Sequence, residues 1–441
     1  MAKQLLTPRH LIAMTRAGEV QNNMSVLLDG ERITAVADTQ TLRAQNQDVP
    51  ELKLDEHALL PGLVNAHTHA AMSLMRGLAD DLPLMEWLEQ HIWPTEAAHV
   101  NREFVADGSR LAIAEMLQGG TTTFSDMYFF AEETAGVAAQ MGIRAVIGMI
   151  VIGFPSAWAK TTDEYFRKGL SVHDQFRSHE RISAAFAPHA PYTVDDESLR
   201  RIATLAEELD APVHIHLHET AQEVEDALTN HGERPIARLA RLGLMSPRLI
   251  AVHMTQLNEA EIDMVAEHGV SVVHCPESNL KLASGFAPVS SLVHAKANIA
   301  IGTDGAASNN DLDMLSEIRT ASLLAKGHSR DPCAFTAAQA LWAATMGGAI
   351  ALGQESSIGS LEAGKYADLV AVNLGDYRAQ PVYDACSQIV YATHRDQVEH
   401  VWVAGEHRVS GGRLVGEDPG ELAALADKWR RRISAPSASQ S

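Results

Sequence analysis

Between residues 61 and 304 short apolar runs alternate with longer amphipathic stretches. Eight runs read as strands: LVNAH (63–67), TTTFSD (121–126), RAVIGMIVI (144–152), ISAAFAP (182–188), PVHIHL (212–217), LIAVHM (249–254), SVVHCP (271–276) and NIAIGTD (298–304). Most of the stretches between them have helical periodicity, as in ESLRRIATLAEELD before PVHIHL and NEAEIDMVAEHG before SVVHCP. Gln118-Gly119-Gly120 ends the helix before TTTFSD, as a glycine cap does. Apolar strands separated by helices imply a parallel sheet, and eight of them predict an α/β fold closed as a (β/α)8 TIM-type barrel over residues 61–358.

The ends of the chain follow another pattern. SVLLDGERITAVAD and EHVWVAGEHRVSGGRL are apolar–turn–apolar, the form of hairpins. Neither end is long enough to fold alone. The expectation is one small β-sandwich, with residues 1–60 as its first part and 359–420 as its second, the latter running into the start of a C-terminal helix. Residues 421–441 then hold that helix and a frayed tail, RRRISAPSASQS.

Composition removes some functions. The 441 residues carry 35 basic and 56 acidic side chains, a formal charge of −21, which argues against nucleic-acid or anionic-membrane partners. The start, MAKQLLTPRHLIAMTRAG, lacks the apolar core of a signal peptide, and AVIGMIVIGF (145–154) is about half a membrane span. Cys275, Cys333 and Cys386 lie far apart without a CxxC, so neither a disulfide frame nor a thiolate zinc site is indicated. A cytoplasmic location is expected. The 21 histidines are the anomaly, and only their positions can interpret them.

In a parallel barrel the chemistry sits at the C-terminal ends of the strands. Those ends carry His67, Asp126, His189, His216, His253, His274 and Asp304. Residues i and i+2 on a strand face the same way, so His67 and His69 can reach one ion. A lone His-x-His is weak evidence. Adding His216 and Asp304 completes a set of three nitrogens and one oxygen, suited to zinc or another borderline divalent metal, with iron and manganese as alternatives. In HIHLHET (214–220), His214 reads as a hydrogen-bonded core residue, His218 as a wall residue, and Glu219 as a carboxylate near the metal.

Two motifs fail on inspection. The HExxH zinc motif would need histidine at 222, where the chain has Gln222. GSLEAGK (359–365) resembles part of a phosphate-binding loop, but Tyr366 replaces the required Ser or Thr and a strand follows, so a hairpin turn is expected.

PGLVNAHTH, HLHET, His253, GTDGAASNN and GSLEAGKYADLVAV together resemble the amidohydrolase superfamily over almost the whole chain. AMSLMRGLADDLPLMEWLEQHIWPTE (71–96) and HCPESNLKLASG (274–285) resemble more narrowly its methylthioadenosine/S-adenosylhomocysteine deaminases. The resemblance implies one zinc ion on His67, His69, His216 and Asp304, since no lysine ends a strand where two-metal members carry one. It implies hydrolytic deamination of adenine nucleosides. Water activated at the metal attacks C6, Asp304 takes its proton, His253 aligns it and Glu219 protonates N1. Glu96 and His189 would hold the nucleoside, with Glu219 and Asp304 contacting its base. Without the resemblance Glu96 reads as a helix-start carboxylate, and Trp87 fits either the substrate or the core. Superfamily barrels often pair, so a homo-oligomer, dimer or tetramer, is expected.

The competing readings are guanine deamination, triazine hydrolysis and, from another class, a barrel that binds metal or nucleoside without catalysis. Within the first reading, the loop after the third strand, GFPSAWAK, places Phe154, Pro155, Ala157 and Trp158 before its first cation, Lys160. An apolar loop suits a methylthio group better than an amino-acid tail and predicts a preference for 5′-methylthioadenosine.

Overall fold

The computed structural model describes residues 3–435. Its centre is an eight-stranded parallel barrel: β5 (Leu63–Thr68), β6 (Thr121–Asp126), β7 (Arg144–Val151), β8 (Ile182–Pro188), β9 (Val213–Leu217), β10 (Leu249–His253), β11 (Ser271–His274) and β12 (Asn298–Ile301). Neighbours in sequence are neighbours in the sheet. β5, β6, β7, β9, β10 and β11 are buried along their whole length, which explains their continuous apolar patterning.

The edge strands β5 and β12 meet through specific groups. Thr303 N donates to Asn65 Oδ1 at 3.0 Å, Asn65 Nδ2 donates to Thr303 Oγ1 at 2.8 Å, and Asp304 N donates to His67 O at 3.0 Å. This closure needs Gly302, because a Cβ there would lie 2.8 Å from His67 N and 2.9 Å from His67 Cβ. The last strand can therefore deliver Asp304 beside His67 only through a glycine.

The ends of the chain form a second sheet from β1 (Gln4–Leu11), β2 (Met24–Asp29), β3 (Arg32–Asp38), β4 (Glu51–Pro61), β13 (Leu369–Asn373), β14 (Val398–Val403), β15 (Glu406–Ser410) and β16 (Arg413–Leu414). The order β16-β15-β14-β13-β4-β1-β2-β3 makes the sandwich one continuous sheet, enclosing a core that includes Leu6, Val26, Ile33, Leu59, Leu369 and Trp402. Both end segments also contain a helix, Thr39–Gln45 and Ala385–Ala392, which the hairpin pattern did not anticipate. Arg144 and Asp368, both buried, pair at 2.9 Å and tie barrel to sheet.

Three expectations need correction. GSLEAGK is a turn that leads into β13, whose sheet neighbours are β4 and β14, so it does not close a hairpin of its own. The tail is helical through Ser434, within Pro419–Ser434, because Trp429 is buried against Phe104 at 5.1 Å between ring centroids. The rest of the expected fraying, residues 436–441, lies outside the described residues. The barrel strands SVVHCP and NIAIGTD end early, at His274 and Ile301.

Candidate metal centre and active site

Asp304 therefore sits three residues beyond β12, in an irregular segment, with φ +63°. His253, the last residue of β10, has φ +74°. Left-handed backbone at non-glycine residues is costly and collects at functional sites. β5 also deviates: its register against β6 slips between Asn65 and Thr68, a bulge around His67. His69 follows the strand and opens a short 3-10 turn, Ala70–Met75. These local distortions turn side chains from different strand ends toward one point.

The convergence is close. His67 Nε2 lies 3.3 Å from His216 Nε2 and 3.2 Å from Asp304 Oδ1, and His69 Nε2 lies 3.3 Å from Asp304 Oδ1. Four ligands about 2.0–2.1 Å from a tetrahedral ion are about 3.3 Å from one another. These three pairs thus have the spacing of a four-coordinate metal site, and His67 is shared by two groups whose ligand atoms lie within 4.8 Å of one another, His67–His69–Asp304 and His67–His216–His253, so the residues fit the group.

The opposite nitrogens of the rings are already engaged. His69 Nδ1 lies 2.6 Å from Met127 O and His216 Nδ1 lies 2.7 Å from His189 O. A carbonyl can only accept, so both Nδ1 atoms donate and both Nε2 lone pairs are free. His67 Nδ1 meets His214 Nε2 at 2.9 Å, and His214 Nδ1 meets Ser125 Oγ at 3.2 Å. Burial lowers His67 to about 4, so its ring is neutral at physiological pH. On Asp304, Oδ2 accepts from Ser278 Oγ at 2.6 Å and Ser308 Oγ at 3.0 Å, and Oδ1 accepts from its neighbour Gly305 N at 2.7 Å.

His253 and Glu219 stand beside this group. His253 Nδ1 lies 2.8 Å from Asn279 Oδ1, and its Nε2 lies 3.7 Å from Glu219 Oε2. Ser284 Oγ donates to Glu219 Oε1 at 3.3 Å. Burial raises the Glu219 carboxyl. Glu223 fixes the loop from beneath, accepting from Glu219 N at 2.7 Å and His218 N at 3.0 Å.

A cleft, about 790 Å³ with its solvent-open mouth included, extends from the cluster, lined at its polar end by His69, Glu96, His189, His216, Glu219, His253 and Asp304. Glu96 lies in the helix Trp93–His99, whose preceding residues are already helical, so it does not serve a free helix start. Tyr128 Oη donates to Glu96 Oε1 at 2.6 Å, and burial pushes the Glu96 carboxyl up to about 7. His189 Nδ1 lies 3.1 Å from Thr193 Oγ1, and burial lowers the ring to about 3. The outer wall is apolar, including Trp87, Trp93, Ile152 and Phe154, and among the described residues no lysine or arginine lines it. Trp158 instead packs inward and donates from Nε1 to Glu132 at 3.1 Å, while Lys160 Nζ donates to Ser156 O at 2.6 Å.

Two residues of the rim inventory, Asp126 and His274, and the expected wall residue His218 stand apart from the cluster. Asp126 Oδ1 accepts from Ala70 N at 2.7 Å and Thr68 Oγ1 at 3.1 Å, which shapes the turn after β5. His274 is fully buried with neither ring nitrogen hydrogen-bonded. His218 accepts from Ile236 N at 3.1 Å, joining β9 to a helix rather than facing the cavity. His214 is the hydrogen-bonded core residue expected of it. Sequence reasoning missed Tyr128, Glu223, Ser278, Asn279 and Ser308. Only Glu223 left a trace, in the Thr220-x-x-Glu223 spacing of a capping box.

The amidohydrolase family pattern matches residues 58–408. The chain belongs to the amidohydrolase family. A 5-methylthioadenosine/S-adenosylhomocysteine deaminase of Saccharophagus degradans is 45% identical over 99% of this chain and 98% of its own. One from Teredinibacter turnerae is 48% identical over 93% of each. A crystal structure of an adenosine deaminase from Xanthomonas campestris with bound zinc superposes with TM-score 0.97 at 53% identity, covering 98% of both chains. Atrazine chlorohydrolase of Arthrobacter aurescens shares the fold at TM-score 0.89 and 24% identity, covering 97% of this chain and 99% of its own. This amidohydrolase therefore has a metal-dependent family's barrel, with the candidate ligands at the rim where such barrels work.

Proposed function

We propose that the protein is a zinc-dependent deaminase of adenine nucleosides that prefers 5′-methylthioadenosine and releases ammonia and 5′-methylthioinosine. The observation that carries this reading is one arrangement. A four-ligand cluster with a buried, raised carboxyl beside it forms the floor of a cavity whose outer wall is apolar and free of lysine and arginine. The names of the full-length relatives and the zinc in the Xanthomonas structure support it.

In this reading His67, His69, His216 and Asp304 hold one zinc ion per chain, with His67 common to the groups His67–His69–Asp304 and His67–His216–His253. When bound, the ion supplies a water-derived nucleophile at neutral pH by lowering the pKa of water from 15.7 to about 7. Asp304, oriented by Ser278 and Ser308, accepts the proton released from water and later passes one to the departing amine. His253, fixed by Asn279, aligns the attacking oxygen with C6. Glu219, whose carboxyl burial raises, gives its proton to N1, so negative charge does not accumulate on the ring. Glu96 accepts from the ribose hydroxyls, with Tyr128 fixing one of its oxygens and leaving the other free. His189, tethered to Thr193, contacts the nucleoside through its remaining nitrogen.

The apolar wall around Trp93 and Phe154, whose rings meet edge-on at 6.1 Å, takes the methylthio group. The reading also takes the enzyme to be cytoplasmic and a dimer or tetramer. Among the described residues, no helix is long and apolar enough to cross a membrane. The deciding experiment is a spectrophotometric deamination screen over adenosine, 5′-methylthioadenosine, S-adenosylhomocysteine and guanine. Turnover of the adenine nucleosides with none on guanine supports the assignment. Guanine turnover, or ammonia release from none of the four, overturns it.

A further inference from the structure

A second group of imidazoles lies in the terminal sheet, apart from the barrel cavity. In β14 the pairing with β13 runs Ala371 to His400 and Val372 to Val398, so Glu399 is an extra residue in a bulge. Adjacent residues of a regular strand point to opposite faces, whereas a bulge re-aims one of them. Glu399 and His400 consequently share a face. His57 of β4, paired in register with Asn373, reaches the same place: its Nε2 lies 2.8 Å from Glu399 Oε2, and Asn373 Nδ2 donates to Glu399 Oε1 at 2.8 Å.

Ligand-type atoms of His57, Glu399 and His400 all lie within 4.8 Å of one another. His57 Nδ1 and His400 Nδ1 are buried without a hydrogen-bond partner, as is Nε2 of His407, whose ring centroid is 5.6 Å from that of His400. Buried polar atoms are nearly always paired, so unpaired nitrogens on both His57 and His400, with His407 beside them, point to a ligand for this group. The Glu399 side chain is 35% exposed and gives the cluster a route to solvent.

We propose that His57, Glu399 and His400 form a second metal site, taking a divalent transition ion of the zinc and nickel type. Two imidazoles and a carboxylate suit such ions. The site offers three protein ligands against four candidates at the barrel rim, and its carboxylate is part exposed, so binding is weaker than at the rim. None of the three lines the barrel cavity, so the ion takes no part in the chemistry there. It clips β4 to β14, joining residues 57 and 400, and stabilises the sheet that unites the two ends of the chain. The proposal does not depend on the deaminase reading.

The test is calorimetric titration of Zn2+ into enzyme already saturated at its barrel site, with His400→Gln and Glu399→Gln titrated alongside. Wild type should take up a second, weaker equivalent and gain about 2 °C or more in Tm. Both variants should keep wild-type kcat/KM, which reports an intact fold. His400→Gln should lose the second equivalent and the Tm gain, and Glu399→Gln should bind it more weakly. Absence of a second equivalent in wild type, or its persistence in His400→Gln, would overturn the site.

Discussion

His67 reaches His214 through its inward nitrogen, Nδ1 to Nε2 at 2.9 Å, and His214 passes the link to Ser125 at 3.2 Å. If His67 Nε2 is to face an ion, its Nδ1 must carry the proton and His214 must accept it. His214 is thus a positioning residue that sets the tautomer of a ligand it does not replace. In His214→Ala, metal affinity should fall about 10–100-fold, the effect typical of losing such a support. Competition with a chelator measures it. At saturating metal, KM should be near wild type because His214 does not line the cavity. Unchanged affinity would remove this role.

Binding and chemistry should separate at two positions. His216→Asn removes a proposed ligand, and elemental analysis should show most metal lost together with activity. Glu219→Gln should keep its metal and still bind nucleoside, yet lose about 10²–10⁴-fold in kcat, the usual range for a general acid. More than about a tenth of wild-type turnover in Glu219→Gln would send the proton-donor role elsewhere.

These residues also mark what could be read from the chain alone. The barrel was legible because its strands are buried on both faces and so are apolar throughout, and the proposed ligands because they fall at or just beyond strand ends. Their supports were not. Tyr128 meets Glu96 across 32 positions and Asn279 meets His253 across 26, distances over which no local period acts. The helical tail was hidden for the same reason, since Trp429 is anchored on Phe104 from the far end of the chain. Asp304 reads as the end of a strand, yet β12 stops at Ile301 and Asp304 lies beyond it with a φ of +63°.

Gly302 gives a prediction about the fold itself. The nearest atoms to an added Cβ are the backbone nitrogen and Cβ of His67, neither of which can rotate away. Gly302→Ala should cost about 1–3 kcal/mol by overpacking. It should also lower metal affinity, since His67 and Asp304 flank the closure. Denaturant melts with and without metal check both effects.

Glu96 gives a pH dependence. Its carboxyl is raised to about 7 by burial, from an ordinary 4.5. A raised folded-state value means the stability contribution is full below about 4.5 and is lost as pH rises through about 7. Glu96→Gln should therefore gain stability relative to wild type between pH 5 and pH 8, by up to about 3 kcal/mol. Binding should run the other way. The ionised carboxylate accepts ribose hydroxyls, so wild-type KM should fall from pH 6 to pH 8, with no such fall in Glu96→Gln. A parallel pH profile in the variant would detach Glu96 from the sugar.

The last prediction concerns the outer wall. S-Adenosylhomocysteine presents a carboxylate that needs a cationic partner, whereas a methylthio group needs only burial. The cavity lining includes Trp93, Ile152 and Phe154 and, among the described residues, no lysine or arginine, and Lys160, the first cation of the loop, is turned to Ser156. A charge-assisted hydrogen bond is worth about 1.5–3 kcal/mol, so its absence should cost about 10- to 100-fold. kcat/KM for 5′-methylthioadenosine should exceed that for S-adenosylhomocysteine by at least about tenfold, with adenosine also turned over. Phe154→Arg, which puts a guanidinium on the wall, should narrow the ratio by improving the longer substrate and weakening the shorter one. Equal kcat/KM for the two thio-nucleosides in wild type would defeat the argument from the wall, because a cation would then have to come from elsewhere, while the ligand cluster and Glu219 would keep their proposed roles.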